Sequence, residues 1–145
     1  MAYALADDEL LITADTIVYL EGEVLGKPAN SKEAYSMLRK LSGKTHQVIT
    51  GVTLRNINRS HTFSCVTEVT FAHLTDEQIK HYVDTYSPLD KAGAYGIQEW
   101  IGYVGVTRIE GSYYNVMGLP VQRLNQELKT FMDNENDTFL DNFIY

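Results

Sequence analysis

The sequence predicts an α/β domain with mixed α+β character, one unit built around a mixed sheet. Three observations carry that prediction. Runs rich in β-branched residues alternate with stripes of apolar residues at helical spacing. Each of the first two stripes is preceded by a capping signal. The 145 residues, 44% hydrophobic and 21% charged, are enough for one sizeable core.

Taken in order, Leu10-Leu11-Ile12 lead into a lone carboxylate, Asp15. Ile17-Val18-Tyr19-Leu20 then resume the strand, Glu21-Gly22-Glu23 turn it, and Val24-Leu25 return toward Lys27. Asn30 with Glu33 opens a helix whose buried stripe is Ala34, Met37, Leu38 and Leu41, closed by Gly43. Residues 46–55 read as a strand with Gly51 at a bulge or close approach, 56–61 as a turn, and 64–72 as the second arm of an antiparallel hairpin. Thr75 and Gln78 fit a capping box before the stripe Ile79, Tyr82, Val83 and Tyr86. Residues 87–100 read as loop and 103–111 as strand. Pro120 suits the first turn of a last helix that buries Val121, Leu124, Leu128 and Phe131.

A net charge of −7 argues against a nucleic-acid surface, which needs a basic patch. More than half of that excess lies in an acidic tail at 133–145, so the domain is placed at 1–132. No apolar run approaches the length of a membrane span. The single Cys65 reads as a buried, inert thiol and points to a reducing, cytoplasmic setting. The four histidines show no metal-site spacing.

Three stretches could carry chemistry. Asp15, in an apolar strand, needs a compensating cation, metal or donor set if it is buried. It either caps a turn or accepts hydrogen bonds from Thr13 or Thr16, or it serves as a metal ligand or general base. Lys27, in a turn stiffened by Pro28, is either a solvated lysine or one held near an anion. The loop Asp90-Lys91-Ala92-Gly93-Ala94-Tyr95-Gly96-Ile97-Gln98 is a tight connection or a ligand loop; its amide could read a base edge. Glu110–Asn115 with Met117–Pro120 is the third stretch, and packing is the reading its residues favour.

The order of these elements is more specific than any one of them. ADTIV and GEVLGKP, then LSGKTHQVITGV, PLDKAGAYGIQ and IEGSYYNVMGLP, resemble the Maf family of nucleoside triphosphate pyrophosphatases, over about residues 5 to 128. ADT together with AYGIQ is similar to the branch that acts on dTTP and UTP. The resemblance implies a two-lobed fold with a long twisted mixed sheet, and hydrolysis between the α- and β-phosphates. It makes Asp15 the proton acceptor near a divalent cation, Mg²⁺ or Mn²⁺. Thr16 and Gln98 match base-selecting positions, and Lys27 and Lys91 match lysines of the phosphate cleft. The expected partner is a nucleoside triphosphate, with a homodimer as a further expectation. The family's N-terminal strand and its Ser-Pro-Arg-Arg phosphate loop and helix have no counterpart here. If the chain is complete, open sheet edges that favour association and impaired catalysis are expected; if its start is misassigned or the gene is split, the full-length product is expected to be an active pyrophosphatase. The alternative is a non-catalytic remnant that binds nucleotides or a partner.

Overall fold

A computed structural model describes residues 5–134. The elements run β1 (Leu11–Leu20), β2 (Glu23–Leu25), α1 (Ser31–Leu41), β3 (Thr45–Arg55), β4 (Ser60–Phe71) and α2 (Asp76–Tyr86). A 3₁₀ turn at Ala92–Ala94 follows, then α3 (Trp100–Gly105), β5 (Val106–Glu110), α4 (Tyr113–Val116) and α5 (Val121–Asn134). The sheet order is β2-β1-β3-β4-β5. This is the expected α/β domain with α+β character. Every pairing among the described residues is antiparallel, where both the pattern of elements and the resemblance implied a mixed sheet. Short turns join β1 to β2 and β3 to β4, and a chain reversing that tightly can only pair antiparallel.

The local signals explain the elements. Asn30 Oδ1 accepts from Glu33 N–H at 2.9 Å, and Ala34, Met37, Leu38 and Leu41 are buried. The Thr75–Gln78 box is complete, with both reciprocal bonds made. Asn56 Oδ1 accepts from the Asn58 and Arg59 N–H groups, which closes the β3–β4 turn.

Several expectations are corrected. β1 does not pause at Asp15: its pairing with β3 is unbroken from Leu11 to Tyr19. Gly51 makes no bulge, and a Cβ there would meet nothing within 4 Å. Residues 100–105 are helix rather than loop and strand, because Gly102 lets the chain coil tightly over the Ile97 carbonyl. Val121 is exposed and Leu124 and Leu128 half-buried; only Phe131 of that stripe is fully enclosed, with Met132 beside it. Cys65 is half-buried. The tail expected at 133–145 begins inside a helix, since α5 runs through Asp133 and Asn134, and the rest of it lies outside the described residues.

One face of the sheet carries the core. On β3 the inward residues are His46, Val48, Thr50, Val52 and Leu54, the strict alternation of a half-buried strand. They divide into two apolar clusters. The larger one gathers Val18, Leu20, Val48, Val69 and Phe71 under α1 and α2. The smaller one gathers Val52, Leu54 and Phe63 under Phe131 and Met132 of α5. Between them runs a polar layer. The Thr16 and Thr50 hydroxyls lie 2.9 Å apart, and Asn115 Nδ2 donates to Val48 O, Cys65 O and Thr67 Oγ1. On the outer edge of β1, β2 covers only Val18–Leu20 among the described residues. No helix among those residues is long and apolar enough to cross a membrane.

Candidate active site

The polar layer opens into a pocket of about 240 Å³. Asp15, Thr16, Lys27, Lys91 and Gln98, the five residues singled out in the sequence, all line it, although they come from three separate segments. β1 supplies Ala14 to Thr16 and Val18, the turn after β2 supplies Lys27, and the loop before α3 supplies Asp90 to Ala92, Tyr95, Gly96 and Gln98. Val116, Met117 and Gly118 close the remaining side.

Backbone geometry brings these segments together. Gly93 N–H donates to Gly26 O at 3.1 Å, tying the Lys91 loop to the Lys27 turn. Gly93 has φ +69°, and a Cβ on it would lie 2.9 Å from Val18 Cγ2, so glycine lets the loop press on β1. The next residue, Ala94, is fully buried with φ +63°, a left-handed conformation that a non-glycine residue adopts at a cost. Tyr95 then turns inward. Its hydroxyl lies 2.6 Å from Nε2 of His46, and its ring packs edge-on against Phe71.

The carboxylate at position 15 is exposed, not buried. Strand alternation sends it from β1 on the side opposite Thr16, and it joins the pocket rim where β1 has no second strand partner among the described residues. Gly51 lies across from it and leaves space beside it. The compensation that a buried carboxylate would need is therefore not required. Among the described residues Asp15, Lys27 and Gln98 make no side-chain hydrogen bond or ion pair, which leaves them free for a ligand. Thr16 is committed instead to Thr50, with a longer reach of 3.5 Å to Gly118 O.

Two features of the pocket were not singled out in advance. Asp90 Oδ1 lies 3.3 Å from Lys91 Nζ. The hydrogen bond from Lys91, with its charge and that of Lys27 adding to it, holds the Asp90 carboxyl below its ordinary range. Its place beside Lys91 in the sequence was the available signal. The His46–Tyr95 pair spans 49 positions and had no local signal. Burial alone lowers His46 to a pKa of about 4, and burial also pushes the Tyr95 phenol up. Both groups stay neutral at ordinary pH, and they serve as wall rather than as chemistry. Among the described residues no group of three or more His, Cys, Asp or Glu side chains could hold a metal ion by itself.

A family model described as "Maf-like protein" matches residues 1–131. Among curated relatives, a protein from Phocaeicola vulgatus is 66% identical over 122 residues, 84% of this chain and 63% of the relative. One from Porphyromonas gingivalis is 59% identical over 125 residues, covering 86% and 63%. One from Flavobacterium psychrophilum is 52% identical over 120 residues, covering 83% and 62%. All three are named dTTP/UTP pyrophosphatase. The chain thus spans less than two thirds of the length of these relatives.

Proposed function

As the chain belongs to the Maf family, we propose that its pocket binds dTTP or UTP and hydrolyses it to the nucleoside monophosphate and pyrophosphate. The observation that carries this reading is the convergence of Asp15, Thr16, Lys27, Lys91 and Gln98 on one pocket. The names of the relatives supply the nucleotide class.

In this reading Asp15 takes a proton from a water molecule as the water oxygen bonds to the α-phosphorus. The bond from that phosphorus to the oxygen bridging to the β-phosphorus breaks, and pyrophosphate leaves with the electron pair. Lys27 and Lys91, the latter drawn from Asp90, neutralise the charge on the phosphates; reactions of this kind ask a protein mainly for positioning and charge. Thr16 and Gln98 face the base, and the amide of Gln98 can donate to and accept from a thymine or uracil edge. A divalent cation, Mg²⁺ or Mn²⁺, fits beside Asp15. Such hard cations take one or two carboxylates together with the phosphates of the substrate, and Asp15 has no protein partner among the described residues. Bound there, it would add positive charge at the phosphates. The nucleotide chemistry and the single thiol suit a reducing, cytoplasmic compartment.

Pyrophosphate release from dTTP and UTP with Mg²⁺ tests this. Asp15→Asn is expected to cut turnover by about 10²- to 10⁴-fold while nucleotide affinity, followed by calorimetry, persists. Turnover unaffected by Asp15→Asn would sink the hydrolytic role. Binding without any turnover, in wild type and variant alike, would indicate a nucleotide-binding module instead. Release of orthophosphate would indicate a different phosphatase chemistry.

A further inference from the structure

Tyr82 and Glu99 are polar groups close behind the pocket that the reaction as written does not use. Tyr82, on α2, is fully enclosed. Its hydroxyl donates to Glu99 Oε1 at 2.5 Å and accepts from Gly96 N–H at 3.0 Å. Glu99 stands at the N-cap of α3, yet its side chain makes no capping bond; it turns back to Tyr82 instead. The backbone N–H of Glu99 also donates to Gly96 O at 3.0 Å, so Gly96 is held at both its N–H and its carbonyl.

The same glycine supports Lys91. A Cβ on Gly96 would lie 2.8 Å from Lys91 Cε and 2.8 Å from Glu99 Oε1, so the lysine stem and the carboxylate share its bare face. Next in the chain, Ile97 is buried, and its carbonyl lies so close to Gly102 that a Cβ there would sit 1.8 Å away. Gln98 is exposed between these two anchors.

We propose that Tyr82 and Glu99 are positioning residues, whose hydrogen bond fixes Gly96–Glu99 so that the Gln98 amide meets a pyrimidine edge and Lys91 keeps its approach to the phosphates. This deepens the nucleotide reading above and rests on it. A tyrosine bonded to a carboxylate is a charge-assisted pair, stronger than a neutral one, and here it closes on a backbone N–H as well. Only one freely rotating amide then remains to be ordered when the base arrives, which lowers the entropic cost of reading it.

Tyr82→Phe isolates the hydroxyl, because the ring keeps its place in the core and its stacking on Tyr86. It is expected to reduce the preference for dTTP over dCTP about 5- to 10-fold, mainly through KM, the size of one lost hydrogen bond. Glu99→Gln retains an acceptor for Tyr82 and should keep the preference. Glu99→Leu should lose it, and Tyr82→Phe with Glu99→Leu should lose no more than either alone. Trp100, the chain's single tryptophan, adjoins Glu99 and reports on the loop without nucleotide. Its quenching by iodide should rise in Tyr82→Phe and in Glu99→Leu. Unchanged preference and quenching in Tyr82→Phe, or equal losses in Glu99→Gln and Glu99→Leu, would overturn the proposal. A wild-type chain with no pyrimidine preference would sink the nucleotide reading by itself. Quenching then decides the positional claim, upholding it if raised and overturning it if unchanged.

Discussion

His46 illustrates what burial does to a single residue. It is 1% exposed, with Nδ1 unpartnered and Nε2 facing the Tyr95 hydroxyl. Desolvation lowers its pKa from 6.5 to about 4 on folding. Between those values the unfolded chain binds a proton that the folded chain refuses, so stability falls as pH drops through that window. Between about pH 7.5 and about pH 5 the wild type should lose about 2 kcal/mol on this account. His46→Gln, which cannot take up that proton, should show a correspondingly shallower loss in urea unfolding. Equal slopes for the two proteins would refute the assignment. Asp15, Lys27, Lys91 and Gln98 could be picked out in the sequence because residue type and a neighbouring turn or glycine already suggest a ligand. His46 with Tyr95 and Tyr82 with Glu99 could not, since each pair exists only after distant segments fold together. At Asp15 an apolar run suggests burial, but β1 lies near the edge of the sheet, and the carboxylate faces solvent there.

Among the elements, those set by local signals were legible. The stripe of α1, that of α2 as far as Val83 (Tyr86 is exposed), their caps and the β3–β4 hairpin are dictated within a few residues of where they form. The segment from Gly93 to Gly105 was not, because its shape depends on close approaches between parts of the fold. Gly93 meets Val18 of β1, and α3 coils against the Ile97 carbonyl at Gly102. Glycine at these two positions is therefore a structural requirement. Gly93→Ala combines a left-handed φ with a side-chain overlap and should cost about 1–3 kcal/mol. Gly102→Ala would place its Cβ against backbone, which cannot rotate away, and should cost at least as much while displacing Gln98. Gly51→Ala is the contrast: its φ is ordinary and its surroundings open, so it should be neutral or stabilising by about 0.5–1 kcal/mol. Thermal melts of the three variants check the ranking. A Gly51→Ala protein as unstable as the other two would show that this steric account is wrong.

At the scale of the whole molecule, the pocket is walled by Val18, Val48 and Tyr95 of the larger apolar cluster and reaches the polar layer at Thr16, while the smaller cluster sits farther along the same strands. β1, β3 and β4 each run from the larger cluster, through the layer of Thr16, Thr50, Thr67 and Asn115, into or beside the smaller one. That layer is bonded across all three strands, so a change in one cluster should be felt in the other. Phe131 allows this to be tested from the far side. It is 2% exposed and packs with Val52, Leu54 and Phe63, and its ring lies 4.0 Å from the Arg59 guanidinium carbon. Removing it should cost about 3–5 kcal/mol, as expected for an aromatic truncated in a packed core. Trp100 packs against the other cluster and reports that end separately. If the strands join both clusters into one cooperative unit, Phe131→Ala shifts the Trp100 fluorescence and far-ultraviolet dichroism transitions together, as one step. A variant in which the helical signal is lost first and Trp100 stays at its wild-type midpoint would show two units that unfold apart. The pocket, walled by the larger cluster, would then keep its shape without the smaller one.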